Sequence, residues 1–282
     1  MEADISQFRE LISALPLDHP LHPSCACLLG MQLLARYCQS KQQDDLDKSI
    51  LRIMESLLFS PLSWLAHGPM ILDVLYFLAL SIFARSSASE EPEGAIYAAI
   101  YLRHLRGLAH TPLIPRQHVT ASLVETLELQ IMLKACDVVQ TLEEMTAQTQ
   151  ELLASDPSSD ATTHAITCLA RSTNERIVAR FLSLSLDLLG EITECLRVAR
   201  MHKPDLREVH FALARCLCFH YGHTPNDELL EEAGSIMDEL IASISPGDEC
   251  LAGYQRYFNN SRITIVGGQS CGKYRGSNIS RS

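Results

Sequence analysis

The chain has 282 residues, of which 47% are apolar and 20% charged, and a formal net charge of −11. That composition excludes a disordered chain, and the length suffices for a large core in one domain or two. Acidic residues outnumber basic ones 34 to 23 with no basic cluster, so neither a nucleic-acid backbone nor an anionic membrane is an expected partner.

The chain opens on MEADISQFRE, acidic and amphipathic, without the apolar stretch of a secretory signal. The ten cysteines are therefore expected as reduced thiols in a cytoplasmic protein. Residues 3–15 read as a helix ended by Pro16, and the three prolines of residues 16–24 read as a loop. Ser24 is expected to cap a helix running to about Ser40. In residues 44–59, Leu46, Ile50, Ile53, Met54, Leu57 and Leu58 keep a helical period, with Asp44 and Asp45 where carboxylates favour a helix start. Residues 69–85 form a strongly apolar helix. Its most apolar run, residues 70–84, holds Asp73 and falls short of the roughly 20 residues of a membrane span, so a buried helix is expected.

Helices follow at 93–108, 117–135 and 137–154, with proline and polar breaks between them. Residues 161–200 are helical but poorly punctuated. A split at residues 171–174 is expected, then a long helix 174–200, bent near Gly190. Asp205 and Glu208 have capping-box spacing, and Gly222 closes that helix. Thr224, Pro225 and Asp227 read as cap, first-turn proline and N3 acid for a last helix. Along it Leu229, Leu230, Ala233, Ile236, Met237, Leu240, Ile241 and Ile244 form the apolar stripe.

The fold class is therefore all-α: stacked antiparallel helix pairs with a disordered C-terminal tail. The expected division is an N-terminal helix and proline-rich loop over 1–23, a helical-repeat domain over 24–250 and a flexible tail over 251–282. Hairpins recur about every 40 residues, with Gly30, Ala35, Ala79, Ala98, Ala212, Ala214 and Ala233 as candidates for close helix contact.

The first pair, LLGMQLLARYCQSKQQDDLDKSILRIMESLL, resembles the divergent tetratricopeptide-like repeats of mushroom-type fungi. Arg36, Tyr37, Asp45, Leu46, Asp47, Ser49 and Ile50 carry the likeness. Such repeats often precede caspase-like or signalling ATPase domains, so the resemblance implies a sensor or scaffold. The tail segment YFNNSRITIVGGQ resembles one found ahead of ATPase or kinase domains in the same fungi, through Phe258, Asn260, Ser261, Ile263, Ile265, Gly267 and Gly268. It implies a stand-alone relative or a signalling protein without its effector domain.

Three constellations bear on chemistry. Gly267, Gly272 and Lys273 have phosphate-loop spacing, but Tyr274 replaces the magnesium-binding Ser or Thr, so nucleotide hydrolysis is not expected. Cys216, Cys218, His220 and His223 offer zinc-type ligands, yet one helix turns Cys218 about 200° from Cys216. His19, His22, Cys25 and Cys27 form a third cluster without a second ligand pair. No catalytic, cofactor or metal residue is assigned from these. Trp64, Tyr76, Phe77, Phe83, Tyr97 and Tyr101 read mainly as core, with a peptide-binding face as the alternative. Glu125, Glu128, Glu143, Glu144 and Glu151 read as an acidic outer face. The expected function is a protein-interaction scaffold with a protein or peptide partner. The alternative is a helical metal- or thiol-dependent enzyme.

Overall fold

The computed structural model describes residues 2–59, 69–108, 114–178 and 184–244. The tail expected at 251–282, the phosphate-loop spacing within it and Trp64 lie outside these residues. Eleven α-helices form among the described residues: α1 Glu2–Ala14, α2 His22–Ser40, α3 Gln43–Leu58, α4 Pro69–Ser89, α5 Pro92–Gly107, α6 Arg116–Met132, α7 Val138–Ser155, α8 Asp160–Val178, α9 Leu186–His202, α10 Arg207–His223 and α11 Asp227–Ser243. The all-α class and the helix pairing hold. Pairs begin at His22, Pro69, Arg116, Asp160 and Arg207, hence 47, 47, 44 and 47 residues apart, so the repeat is longer than the expected 40.

The chain divides into two compact units, Met1–Leu152 with Ser159–Ala165, and Leu153–Ser158 with Ile166–Ser282. In unit 1, α1 packs on α2, α2 on α3, α3 on α4, α4 on α5 and α5 on α6. α1 covers the first pair: Ile5 and Ile12 join Ala26, Leu29 and Leu33 in one cluster, with Phe8 and Cys25 against it. A second cluster joins Cys27, Leu34 and Tyr37 of α2 to Leu46, Ile50 and Ile53 of α3 and Val74 and Leu78 of α4. In unit 2, α9 packs on α10 and α10 on α11, where Ile236, Met237 and Leu240 are buried as their period predicts.

The first pair is antiparallel, joined by only Lys41 and Gln42, and its two ends are tied crosswise. His22, at the start of α2, donates from Nε2 to Oε1 of Glu55 near the end of α3 at 2.8 Å. Arg36, near the end of α2, grips Asp45 at the start of α3 with two nitrogens, Nε at 2.7 Å. Midway, the Ser49 hydroxyl donates to the Gly30 carbonyl at 2.7 Å. A Cβ on Gly30 would lie 2.6 Å from Cγ1 of Ile53, so glycine is what allows this approach.

The second helices share one burial frame. Residues four, seven, eight, eleven and fourteen of the helix are buried in α3 (Leu46, Ser49, Ile50, Ile53, Ser56), α5 (Ala95, Ala98, Ala99, Leu102, Leu105) and α9 (Leu189, Ile192, Thr193, Leu196, Ala199). The repeat is thus one of packing position rather than of residue identity. Of the small residues expected at close contacts, Ala79, Ala98, Ala212, Ala214 and Ala233 are buried, whereas Ala35 is exposed.

Several boundaries differ from expectation. α2 begins two residues before Ser24, with Pro23 in its first turn, so Ser24 is no cap. Residues 171–174 lie inside α8, and the next helix starts after Ser185, whose side chain accepts from the Leu188 N–H. Asp205 and Glu208 form no capping box: α10 starts at Arg207, which makes Glu208 the second helical residue, and the N-cap Leu206 has no capping side chain. Gly222 lies within α10, and Asn226 rather than Thr224 caps α11 by accepting from the Glu228 N–H. α4 extends to Ser89, and Ile71–Ser89 is long and apolar enough to cross a membrane, with 39% of that stretch buried. In unit 1, α4 packs against α3, α5 and α6.

Candidate interaction surface and a charged cavity

The second helices of neighbouring pairs are joined by a repeated ion-pair ladder. In unit 1, Arg103 of α5 meets Glu144 of α7 as a fork, Nε to Oε1 at 2.8 Å and Nη2 to Oε2 at 2.6 Å. One turn on, Arg106 reaches Glu151 at 2.8 Å. In unit 2, Arg197 of α9 meets Glu232 of α11 in the same fork, at 2.9 and 2.6 Å, and Arg200 pairs with Glu239. In both cases the arginines are the twelfth and fifteenth residues of their helix and the glutamates are seven residues apart. In each of these two helix pairs the fork holds the planar guanidinium against a carboxylate with two parallel bonds. Donating to Glu144 holds the Arg103 guanidinium above its usual value, and donating to Glu232 does the same for Arg197.

The acidic face expected on the middle pair is therefore largely a set of inter-helix partners. Glu144 and Glu151 take arginines, Arg116 adds a second bond to Glu151 at 2.9 Å, and Glu125 lies 3.2 Å from His164. Glu128 is buried, contrary to expectation. It sits in the run from Leu127 to Ile131 that α6 turns inward.

The first two pairs leave apolar residues on the outer arcs of their second helices. On α3 these are Leu51 (65% exposed), Met54 (46%) and Leu58 (77%), with Phe59 just beyond the helix. On α5 they are Ile96, Tyr97 (58%) and Ile100. The spacings, three and four residues, place each set on one face. Tyr97 was expected mainly as core and is exposed. Tyr76 is core, its hydroxyl 3.0 Å from that of Ser122, and Phe77 packs partly buried.

Unit 2 holds an open cavity of about 740 Å³ between α9, α10 and α11. Arg197 and Arg200 with their glutamates form one wall, Leu213 and Leu240 part of the lining, and Asp205, Arg207 and His210 the end at the start of α10. His210 is 7% exposed, and its Nδ1 lies 3.0 Å from the Leu206 carbonyl. A carbonyl only accepts, so Nδ1 is the donor in this bond.

The sequence-level clusters do not assemble. Cys216 is buried in the core of α10, Cys218 and His220 are half-buried, and His223 is exposed. His22 is committed to Glu55, while Cys25 packs toward α1 and Cys27 toward α3 and α4. No group of three or more His, Cys, Asp or Glu side chains suited to a metal ion occurs among the described residues. Burial pushes the thiols of Cys195 and Cys216 up to about 12 and those of Cys27 and Cys218 to about 11, away from the reactive thiolate. The ladder was missed because its two arginines and two glutamates are far apart in sequence. The available signal was an Arg pair three residues apart, followed one pair later by a Glu pair seven apart.

No family model matches the chain, and no curated protein matches it. Among solved structures, a chain of the DHF119 filament is 13% identical, covering 85% of this chain and 94% of its own, at a TM-score of 0.23. A chain of the DHF58 filament is also 13% identical, covering 94% of this chain and 100% of its own, again at 0.23. A TM-score this low establishes neither a shared fold nor a shared function.

Proposed function

We propose that the chain is a protein-interaction scaffold whose partner docks an apolar surface against α3 and α5. The observation that carries this reading is the exposure of Leu51, Met54, Leu58, Ile96, Tyr97 and Ile100 on the second helices of adjacent pairs. Clustered exposed apolar side chains mark interaction sites more often than isolated ones do. An aromatic among aliphatics suits a contact centre, since Tyr97 offers large area with few rotatable bonds. The fungal signalling setting implied by the resemblance belongs to the same proposal. A reducing, cytoplasmic location is supported by the described cysteines, all free thiols. The upward shifts of the buried thiols speak against the thiol-enzyme alternative.

The test compares the wild-type chain with Leu51→Glu/Tyr97→Glu, both at exposed sites where the fold should tolerate charge. Proteins cross-linked to each in source-cell extract are identified, and the purified partner is then titrated against both. The double variant should keep the wild-type melting temperature and lose affinity by tenfold or more, about 1.4 kcal/mol. Equal affinity for both would overturn the proposal. So would an interaction consisting only of self-association, read from sedimentation of the pure chain.

A further inference from the structure

The apolar face of unit 1 is acidic at one end. α3 and α5 run in the same direction, because each runs against α4. Asp47 of α3 lies 3.9 Å from Arg85 of α4, and the Ser49 hydroxyl lies 3.3 Å from that of Ser81, so one number rises as the other falls. α5 follows α4 after only Glu90 and Glu91, and its Ala95 N–H donates back to Ser86 Oγ at 3.0 Å. Both helices therefore start beside the end of α4. At the α3 start, Asp44 and Asp47 are matched by Lys48 and Arg85, and Lys41 lies over the Tyr37 ring. At the α5 start, Glu90, Glu91 and Glu93 are exposed and have no ion pair among the described residues. Glu93 favours the dipole of its own helix, but Glu90 and Glu91 precede that helix, and Glu91 makes no side-chain cap bond. Glu90 stands at φ 57°, where glycine is less strained. At the opposite ends the charges are paired: Arg52 with Glu55, Arg103 with Glu144 and Arg106 with Glu151.

We propose that the partner of this face is an amphipathic helix with basic residues in its last turn. The inference rests on the docking surface proposed above and adds the chemistry of what docks there. Leu51, Met54 and Leu58 on α3, and Ile96, Tyr97 and Ile100 on α5, recur at spacings of three and four residues. A guest helix presents a matching apolar ridge at the same spacings. Leu51 to Leu58 spans about 10 Å along the axis, so about two turns of guest helix cover it. Lysine and arginine are favoured in the last turn of a helix by its own dipole. The guest therefore lies antiparallel to α3 and α5, with its last turn beside Glu90, Glu91 and Glu93. The same carboxylates repel an acidic helix and an anionic bilayer.

The test is a fluorescence-anisotropy titration of the full chain against labelled helical peptides of about four turns. They share one apolar stripe and carry lysines in the last turn, lysines in the first turn, or glutamates in the last turn; a further peptide keeps the last-turn lysines and has glutamine in place of the stripe. The first-turn peptide has the same charge as the last-turn one, so it controls for the general pull of a chain of net charge −11. The last-turn basic peptide should bind saturably, about tenfold tighter than the acidic one, and tighter than the first-turn peptide. In Glu90→Gln/Glu91→Gln/Glu93→Gln, all at exposed positions, that preference should fall to about threefold or less. Leu51→Glu/Tyr97→Glu should lose binding of every peptide. A preference unchanged in the triple variant, with binding still lost in Leu51→Glu/Tyr97→Glu, would overturn the basic partner and leave the docking surface standing. Binding retained in Leu51→Glu/Tyr97→Glu would overturn both. Equal binding of the glutamine-stripe peptide, equal binding of the two basic peptides, or no saturation with any peptide would overturn this inference.

Discussion

Gly30→Ala tests the closest helix contact in the molecule's first pair. The added Cβ would sit 2.6 Å from Cγ1 of Ile53, 3.1 Å from the Ser49 carbonyl oxygen and 3.3 Å from the Ile53 backbone nitrogen. A side chain alone can rotate away, but two of these atoms are backbone, and Ile53 is fully buried. Relief therefore requires α2 and α3 to separate, which also stretches the Ser49–Gly30 hydrogen bond of 2.7 Å. Overpacking of this kind costs about 1–3 kcal/mol, and the better helix propensity of alanine returns about 1 kcal/mol. The net expectation is a loss of about 0–2 kcal/mol. Ile53→Ala alone should cost about 2–5 kcal/mol through its cavity. In the double variant the new Cβ enters that cavity, so its loss should fall short of the two single losses combined by about 1 kcal/mol or more. Urea unfolding followed by circular dichroism gives all four corners of the cycle. Strict additivity in the double variant would refute the close contact.

Arg36→Ala should be severe for its position near the surface. It strands the Asp45 carboxylate, 1% exposed, without its guanidinium, and breaking such a pair typically costs about 3–5 kcal/mol; a loss in urea below about 1 kcal/mol would show that Asp45 reaches water. For Glu55, burial raises the carboxyl, but hydrogen bonds from His22 and Arg52 outweigh it and hold the group below its usual 4.5. A carboxyl depressed in the folded state stabilises above its unfolded value and ceases to do so as the pH falls through its folded value. The melting-temperature advantage of wild type over Glu55→Gln should therefore be full near neutrality and shrink below pH 4.5; an advantage unchanged by acid would contradict the pairing.

Helix existence was legible in the sequence wherever the apolar period was strong, as in α3 and α11. Boundaries were less so, because the expected signals were glycine, proline and acidic caps. The chain instead ends α2 at Lys41 and α4 at Glu90, each at φ 57°, and turns after α6 at Lys134, at φ 55°. Left-handed backbone is normally the place of glycine, so these internal turns were silent to a reading based on glycine. Across residues 171–174 no breaker exists either: they lie inside α8, which runs to Val178, and Ser185 caps the next helix. The repeat itself was nearly invisible as letters, since the same buried position is Leu46 in α3, Ala95 in α5 and Leu189 in α9. The fold requires the position to be dry and lets the neighbouring helix set the size.

That common frame also bears on the apolar surface. In α9 and α11 the first rung of the ladder joins the twelfth residue of one second helix, Arg197, to the sixth of the next, Glu232. The same places in α3 and α5 hold Met54 and Tyr97, both exposed. Packing within the pairs does not call for apolar residues there, because the burial frame is complete without them: positions four, seven, eight, eleven and fourteen are buried in α3 and α5 as they are in α9. Nor does the helix require them, since α5 itself carries Arg103 at its twelfth place. Met54 and Tyr97 thus occupy positions that this architecture elsewhere fills with charge. An exposed apolar side chain there gains nothing from burial in the isolated chain, and would gain roughly 25 cal/mol per Å² on being covered. The proposed contact with another surface would account for that choice of residues; the burial frame of the helix pairs does not.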